Sequence, residues 1–137
     1  MARDSRLGIV LIFAILTCAG ACSRQPPPSL TPEGRAYVKN LQLSDVGMKA
    51  TDNLARQTLI EIEGTIRNAG NRAVNRVVVT CVFYDFSGKA LYQERSTMVS
   101  SPLKPGAMRP FRLAFDTIPD GWNNQMPQLV IALVVFA

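Results

Sequence analysis

Glu61 and Glu63 lie two residues apart in TLIEIEGTIR, a spacing that puts both carboxylates on one face of an extended strand. Two carboxylates so placed could hold a cation or divide acid and base work between them. Arg67 has the same parity, so a solvated, salt-bridged strand face explains the pair without chemistry. Cys81, inside VVVTCVFYDF, is the one thiol far from the N-terminus, and that apolar setting suits a small buried hydrophobe better than a nucleophile. The chain contains no histidine, which removes the commonest general base and the commonest metal ligand. No glycine-rich phosphate loop, Ser-His-Asp set or paired metal ligands can be assembled. These residues predict a protein that is not an enzyme and carries no cofactor or metal.

The chemistry that does stand out is at Cys22. Met1 to Arg6 is basic, with Arg3 and Arg6 against Asp4, and the 15-residue run LGIVLIFAILTCAGA follows. That run is shorter than the roughly 20 residues a membrane-spanning helix needs, and it ends in the small residues Ala19, Gly20 and Ala21. A basic start, a short apolar stretch and a small-residue exit make an export signal. The arrangement Ala19-Gly20-Ala21-Cys22 resembles the lipobox of bacterial lipoproteins, in which the cysteine receives diacylglycerol and becomes the mature N-terminus. Cys18 competes less well, because branched Thr17 precedes it, and an unprocessed anchor or an unmodified export segment is the other alternative. The resemblance implies lipidation of Cys22, with fatty chains including palmitate, and a cell-envelope protein anchored to a membrane and facing away from the cytoplasm. Ser23 after the cysteine resembles the outer-membrane type, on the periplasmic side, where a host has two membranes. Two or more acyl chains make a durable anchor where one does not.

Residues 1–21 therefore read as a signal peptide and 22–30 as a tether. Pro26 to Pro28 favour an extended polyproline spacer, so the domain stays within some 20–25 Å of its membrane. Residues 31–137 are enough for one domain with a real core. The chain carries +5, and removing the leader with its two arginines and one aspartate leaves +4. The basic residues are scattered rather than gathered into a stripe, which argues against nucleic acid as a partner. Cys81 alone cannot form an internal disulfide.

Thr31-Pro32 predicts an N-cap and first helical position, opening a short helix over about 32–40 with Ala36 and Tyr37 toward the domain. Beyond it the pattern is strand-like. Ile60, Ile62 and Ile66 alternate with Glu61, Glu63, Thr65 and Arg67, and Asn68 to Asn71 supply a turn in which Gly70 and Asn71 tolerate positive φ. Val74 to Phe86 is apolar on both faces, as a central strand would be. Asp85 precedes Phe86-Ser87-Gly88 and is placed to cap that hairpin turn. Strands follow over about 90–100, 111–116 and 129–136, with a long connection over 118–127 that carries Trp122. Six or seven strands joined by short turns predict an all-β, antiparallel, immunoglobulin-like β-sandwich.

Trp122, flanked by Gly121 and Asn123, is a candidate binding residue. It could anchor a protein or a glycan, or its ring could close the open end of the sandwich while the asparagines satisfy loop backbone. Asn123 and Arg109, the latter beside Pro110 at the start of a strand, complete the candidate binding set.

GTIRNAGNRAVNRVVVTCVFYDFSGKALYQE (Gly64 to Glu94) and PLKPGAMRPFRLAFDTIPDGWN (Pro102 to Asn123) resemble small bacterial immunoglobulin-like domains of the FxLYD and DUF2393 kind. The shared order is a strand ending in Gly-x-x-x-Asn, a Gly-Asn turn, a long apolar strand and an aspartate-containing hairpin. The resemblance implies the sandwich fold and an accessory or binding role. The expected function is a non-enzymatic, lipid-anchored envelope module that binds another envelope protein. The alternative is an extracytoplasmic glycan, peptide or small-molecule binding domain using the Trp122 loop.

Overall fold

The computed structural model describes residues 26–52, 55 and 57–137; the leader and Cys22 lie outside the described residues. A short helix, α1 (Pro32–Tyr37), runs into a 3-10 turn (Val38–Asn40). It begins as Thr31 predicts, with the threonine hydroxyl accepting from the Gly34 amide at 3.1 Å and proline filling the first turn. Tyr37 is buried, but Ala36 is exposed, contrary to expectation. The helix is only six residues long, and Gly34 and Tyr37, three apart, take its inner face.

Six strands follow: β1 (Leu41–Asp52), β2 (Thr58–Asn68), β3 (Val74–Tyr84), β4 (Ala90–Val99), β5 (Met108–Phe115) and β6 (Gln128–Phe136). They form two antiparallel three-stranded sheets, ordered β1-β2-β5 and β4-β3-β6, that pack as a sandwich. Ile60, Ile62, Ile66, Phe111, Leu113 and Phe115 line one inner face; Val77, Val79, Cys81 and Phe83 line the other. Each set alternates with residues of the outer face, so the period of two in the sequence is the period of burial.

β1 is longer than its sequence suggests. A bulge at Asp45-Val46, opposite Gly64, lets it stay paired with β2, and Asp45 takes φ 54°, which a short polar side chain tolerates. Gly64 is required here by space, since a Cβ would come within 2.7 Å of the Phe111 ring.

Asn68, the last residue of β2, is fully buried and fully bonded. Its Nδ2 donates to the carbonyls of Arg72 at 2.7 Å and Leu103 at 3.0 Å, and its Oδ1 accepts from Tyr37 Oη at 2.7 Å and the Gly70 amide at 3.2 Å. Tyr37 Oη also meets the Arg72 carbonyl at 2.8 Å and accepts from the Arg72 amide at 3.1 Å. This cluster pins α1 to the 68–72 turn. Gly70 does not take positive φ there; its role is space, because a Cβ would lie 2.2 Å from Tyr37 Oη. Among the described residues the positive-φ glycines are Gly88, Gly106 and Gly121.

Candidate functional site

The Trp122 indole is packed into the sandwich. It is only 9% exposed, meets the Phe83 ring edge-on at 5.9 Å, and donates from Nε1 to the Gln125 carbonyl at 3.2 Å. A bridge to Asp85 ties its backbone to the end of β3. The Asn123 amide donates to the Tyr84 carbonyl at 2.9 Å, and the Asn123 side chain accepts from the Gln125 amide at 2.9 Å. Outside the indole a hollow of about 350 Å³ is lined by Asp52, Thr58, Asp120, Trp122 and Asn124, among others.

Arg109 is not part of that end. Its Nη1 donates to the Ser101 carbonyl at 2.7 Å and Ser101 Oγ at 2.9 Å, and its Nη2 donates to the Pro102 carbonyl at 2.7 Å. It pairs across the ladder with Ile66, whereas Phe115, six residues on, pairs with Ile60 at the other end of β2. Along a strand those six residues span about 20 Å. Trp122 and Asn123 are thus brought together, and Arg109 braces a loop elsewhere.

The carboxylate pair is also engaged, though not by Arg67. Glu61 is ion-paired with Arg112, and Glu63 meets Arg112 Nε at 3.9 Å and Lys49 Nζ at 3.6 Å. Parity along one strand pointed to Arg67, four residues from Glu63. The cross-strand neighbours on β5 and β1 are closer, and sequence spacing does not reveal them. Asp85 caps its turn as expected, accepting from the amides of Ser87 and Lys89, each at 2.9 Å, and from Ser87 Oγ at 2.6 Å. The Ser87 hydroxyl is the main reason its carboxyl lies below the usual aspartate range. Cys81 is fully buried, and desolvation, helped by the nearby charge of Glu94, pushes its thiol up to about 12. A thiol so raised is a poor nucleophile near neutrality. Among the described residues no three His, Cys, Asp or Glu side chains gather closely enough to hold a metal ion.

Two surfaces escaped the sequence reading. The first is the edge of β6. Val130, Ile131, Val134 and Val135 are branched at Cβ, which favours extended backbone. Among the described residues this strand pairs with β3 alone. It has nine residues, QLVIALVVF, with no charge and no proline, and its Val130 and Val135 are 44% and 38% exposed. Contacts from α1 fall near its C-terminal end, where the Tyr37 and Phe136 rings meet edge to face at 5.2 Å. Edge strands usually carry lysine, proline or a covering element to block pairing with another chain. Among the described residues the remaining length of β6 has none of these, and its one interruption is a bulge at Ala132.

The second is the outer face of β4-β3-β6. Val78, Val82 and Leu133 are buried although they point away from the core. Arg95 crosses this face, donating from Nη2 to the Pro28 carbonyl at 2.6 Å and reaching the Ala132 carbonyl at 3.5 Å. The end of the tether thus lies on the sheet instead of standing free of it.

A family model described as "Protein of unknown function (DUF2393)" matches residues 38–131, more than half of the chain. Among solved structures, "X-ray structure of Northeast Structural Genomics Consortium target SoR45" is similar over 72% of this chain and 86% of that one, at 12% identity and a TM-score of 0.47. No curated protein matches the sequence.

Proposed function

Given that the chain belongs to the DUF2393 family, we propose that it is a non-enzymatic, lipid-anchored envelope domain whose task is to bind another envelope protein. The observation that carries this reading is the uncharged edge of β6. An extended segment of a partner would add to that edge as a further strand, gaining main-chain hydrogen bonds on either side of the Ala132 bulge and side-chain contacts at Val130 and Val135. The charges near Glu61, the thiol of Cys81 and the carboxylate of Asp85 are all occupied structurally, which supports a binding role over a catalytic one. Cys22 supplies the anchor, and the domain faces away from the cytoplasm.

Two measurements test the two halves. A photo-crosslinking residue at Val130, in the native envelope, captures one discrete protein, while the same residue at the exposed Ala114 on β5 does not. Equal capture at both positions would refute the edge. Radioactive palmitate labels the wild-type chain but not Cys22→Ala, and persistent labelling of the mutant would remove the anchor.

A second reading has one observation in its favour. The hollow beside Trp122, at about 350 Å³, falls in the size range of small-ligand sites and carries Asp120 and Asn124 on its wall. A glycan, peptide or small molecule held there would lose affinity in Asn124→Gly, which removes the amide while accommodating the positive φ of 60° at that position.

A further inference from the structure

Arg95 is an unusual residue for the outer face of a sheet. The groups at its own cross-strand position and beside it are Thr80, Val78 and Leu133, and no acid lines the cavity it borders. Among the described residues its Nε is buried and has no hydrogen-bond partner. Glu94 is adjacent in sequence but sits opposite Cys81, on the core side of β4, with Tyr92 Oη at 3.4 Å. Leaving a guanidinium N–H without an acceptor costs free energy.

A second arginine shares that cavity. Arg76 precedes Val78 on β3 by two residues, exposes its side chain on the same face and makes no hydrogen bond or ion pair among the described residues. The cavity is about 190 Å³, lined by Pro28, Arg76, Val78, Arg95, Ser96, Thr97 and Leu133. It therefore offers two guanidinium groups with no carboxylate partner among the described residues, the Thr97 side chain and an apolar floor. The volume falls below the range of drug-sized ligands and suits one compact charged group.

We infer that Arg76 and Arg95, with Thr97 beside them, form a binding site for a phosphate group. Phosphate fits better than carboxylate because two guanidinium groups and the Thr97 hydroxyl supply more donors than two oxygens can use. Guanidinium forks match phosphate oxygens in pairs of parallel hydrogen bonds. The apolar floor of Val78 and Leu133 would take the carbon skeleton attached to that group. Pro28 on the rim lies six residues after Cys22, within about 20 Å along an extended chain. Phosphate on a lipid headgroup and phosphate free in solution are the two sources this chemistry admits.

The test uses the full chain in nonionic detergent micelles and does not depend on what β6 binds. Inorganic phosphate, short-chain phosphatidylglycerol and acetate are titrated separately, following the Nε–Hε resonances of the arginines by NMR and the heat by calorimetry. Saturable binding is expected from at least one of the two phosphate compounds, with the Arg95 Nε–Hε signal shifting. Arg76→Gln, which breaks no bond in the fold, should weaken it about tenfold or more. Arg112→Gln, on the other sheet, should leave it unchanged. Arg95→Lys retains the charge and a donor for Pro28, so it separates loss of the fork from loss of the tether contact. Binding of phosphatidylglycerol alone identifies a headgroup site, and equal binding of both probes a site for free phosphate as well. No saturable binding by either, equal binding by Arg76→Gln, or acetate binding as tightly as phosphate would overturn the inference.

Discussion

Replacing Asn68 by alanine probes the joint between helix and sandwich. The change removes four hydrogen bonds, two donated to the Arg72 and Leu103 carbonyls and two accepted from Tyr37 Oη and the Gly70 amide. Not every partner is left stranded. The Leu103 carbonyl keeps the Val74 amide at 3.0 Å, and Tyr37 Oη can turn its proton fully to the Arg72 carbonyl at 2.8 Å. The Gly70 amide has no substitute. Three to four bonds at about 1 kcal/mol each, plus the cavity left by a fully buried amide, give a loss of about 3–5 kcal/mol. Tyr37→Phe removes the hydroxyl alone and should cost about 2–3 kcal/mol, because the Arg72 amide then loses its acceptor. The two sites share one bond, so the double mutant should be about 1 kcal/mol less damaging than the sum. Urea unfolding of the four proteins closes the cycle. A cost below about 1 kcal/mol for Asn68→Ala, or strict additivity of the pair, would refute the view that this amide fastens α1 to the turn.

Gly70→Ala should disturb the same cluster by pushing its Cβ toward the tyrosine hydroxyl, lowering the melting temperature although the glycine's φ is one alanine can adopt. Cys81 should resist iodoacetamide in the native protein at pH 9 and react at once in urea. Its raised thiol pKa contributes stability that is whole below the unfolded value near 9.0 and is lost as pH climbs toward about 12. Asp85 works in the opposite sense. Its lowered pKa contributes stability present above the model-compound value of 3.8 and lost as pH falls through the folded value, so amide exchange at Ser87 and Lys89 should quicken in acid and in Asp85→Ala. Trp122 fluorescence should be blue-shifted and poorly quenched by iodide until the domain unfolds; strong quenching in the native state would contradict its burial.

The architecture was readable because alternation is local. Each strand carries its inside and outside in its own residues, and Phe86-Ser87-Gly88 or Thr31-Pro32 mark ends through the backbone geometry that those residues favour. Contacts between strands distant in sequence were not readable in that way. Nothing near Glu61 or Glu63 announces Arg112, which lies about fifty residues away and arrives only through the β2–β5 register. The outward-facing valines of β3 revealed a central strand but not what covers it, since Pro28 reaches Arg95 across 67 positions. Asn68 was visible as the end of a motif and as turn chemistry; its burial was not, because a polar residue in a turn is normally solvated.

The two surfaces missing from the sequence reading meet at one residue. Ala132 is the extra residue where β6 slips register against β3, between the pairs Val78–Leu133 and Val79–Ile131. A bulge turns a carbonyl out of the ladder, and here Arg95 lies 3.5 Å from that oxygen while also binding Pro28. The guanidinium thus spans from the tether, over β3, to the strand whose far edge is open. An anion drawn to Arg95 would compete with the Ala132 and Pro28 carbonyls for its donors, and loosening the first of these would free the bulge at the middle of β6. Strand addition at that edge depends on the spacing of its amides and carbonyls, which the bulge interrupts. Arg95→Ala, which removes both contacts, should therefore change the amide chemical shifts of Ile131 and Leu133 as well as that of Ser29. Shifts unchanged at β6 but altered at Ser29 would show that the arginine serves the tether alone.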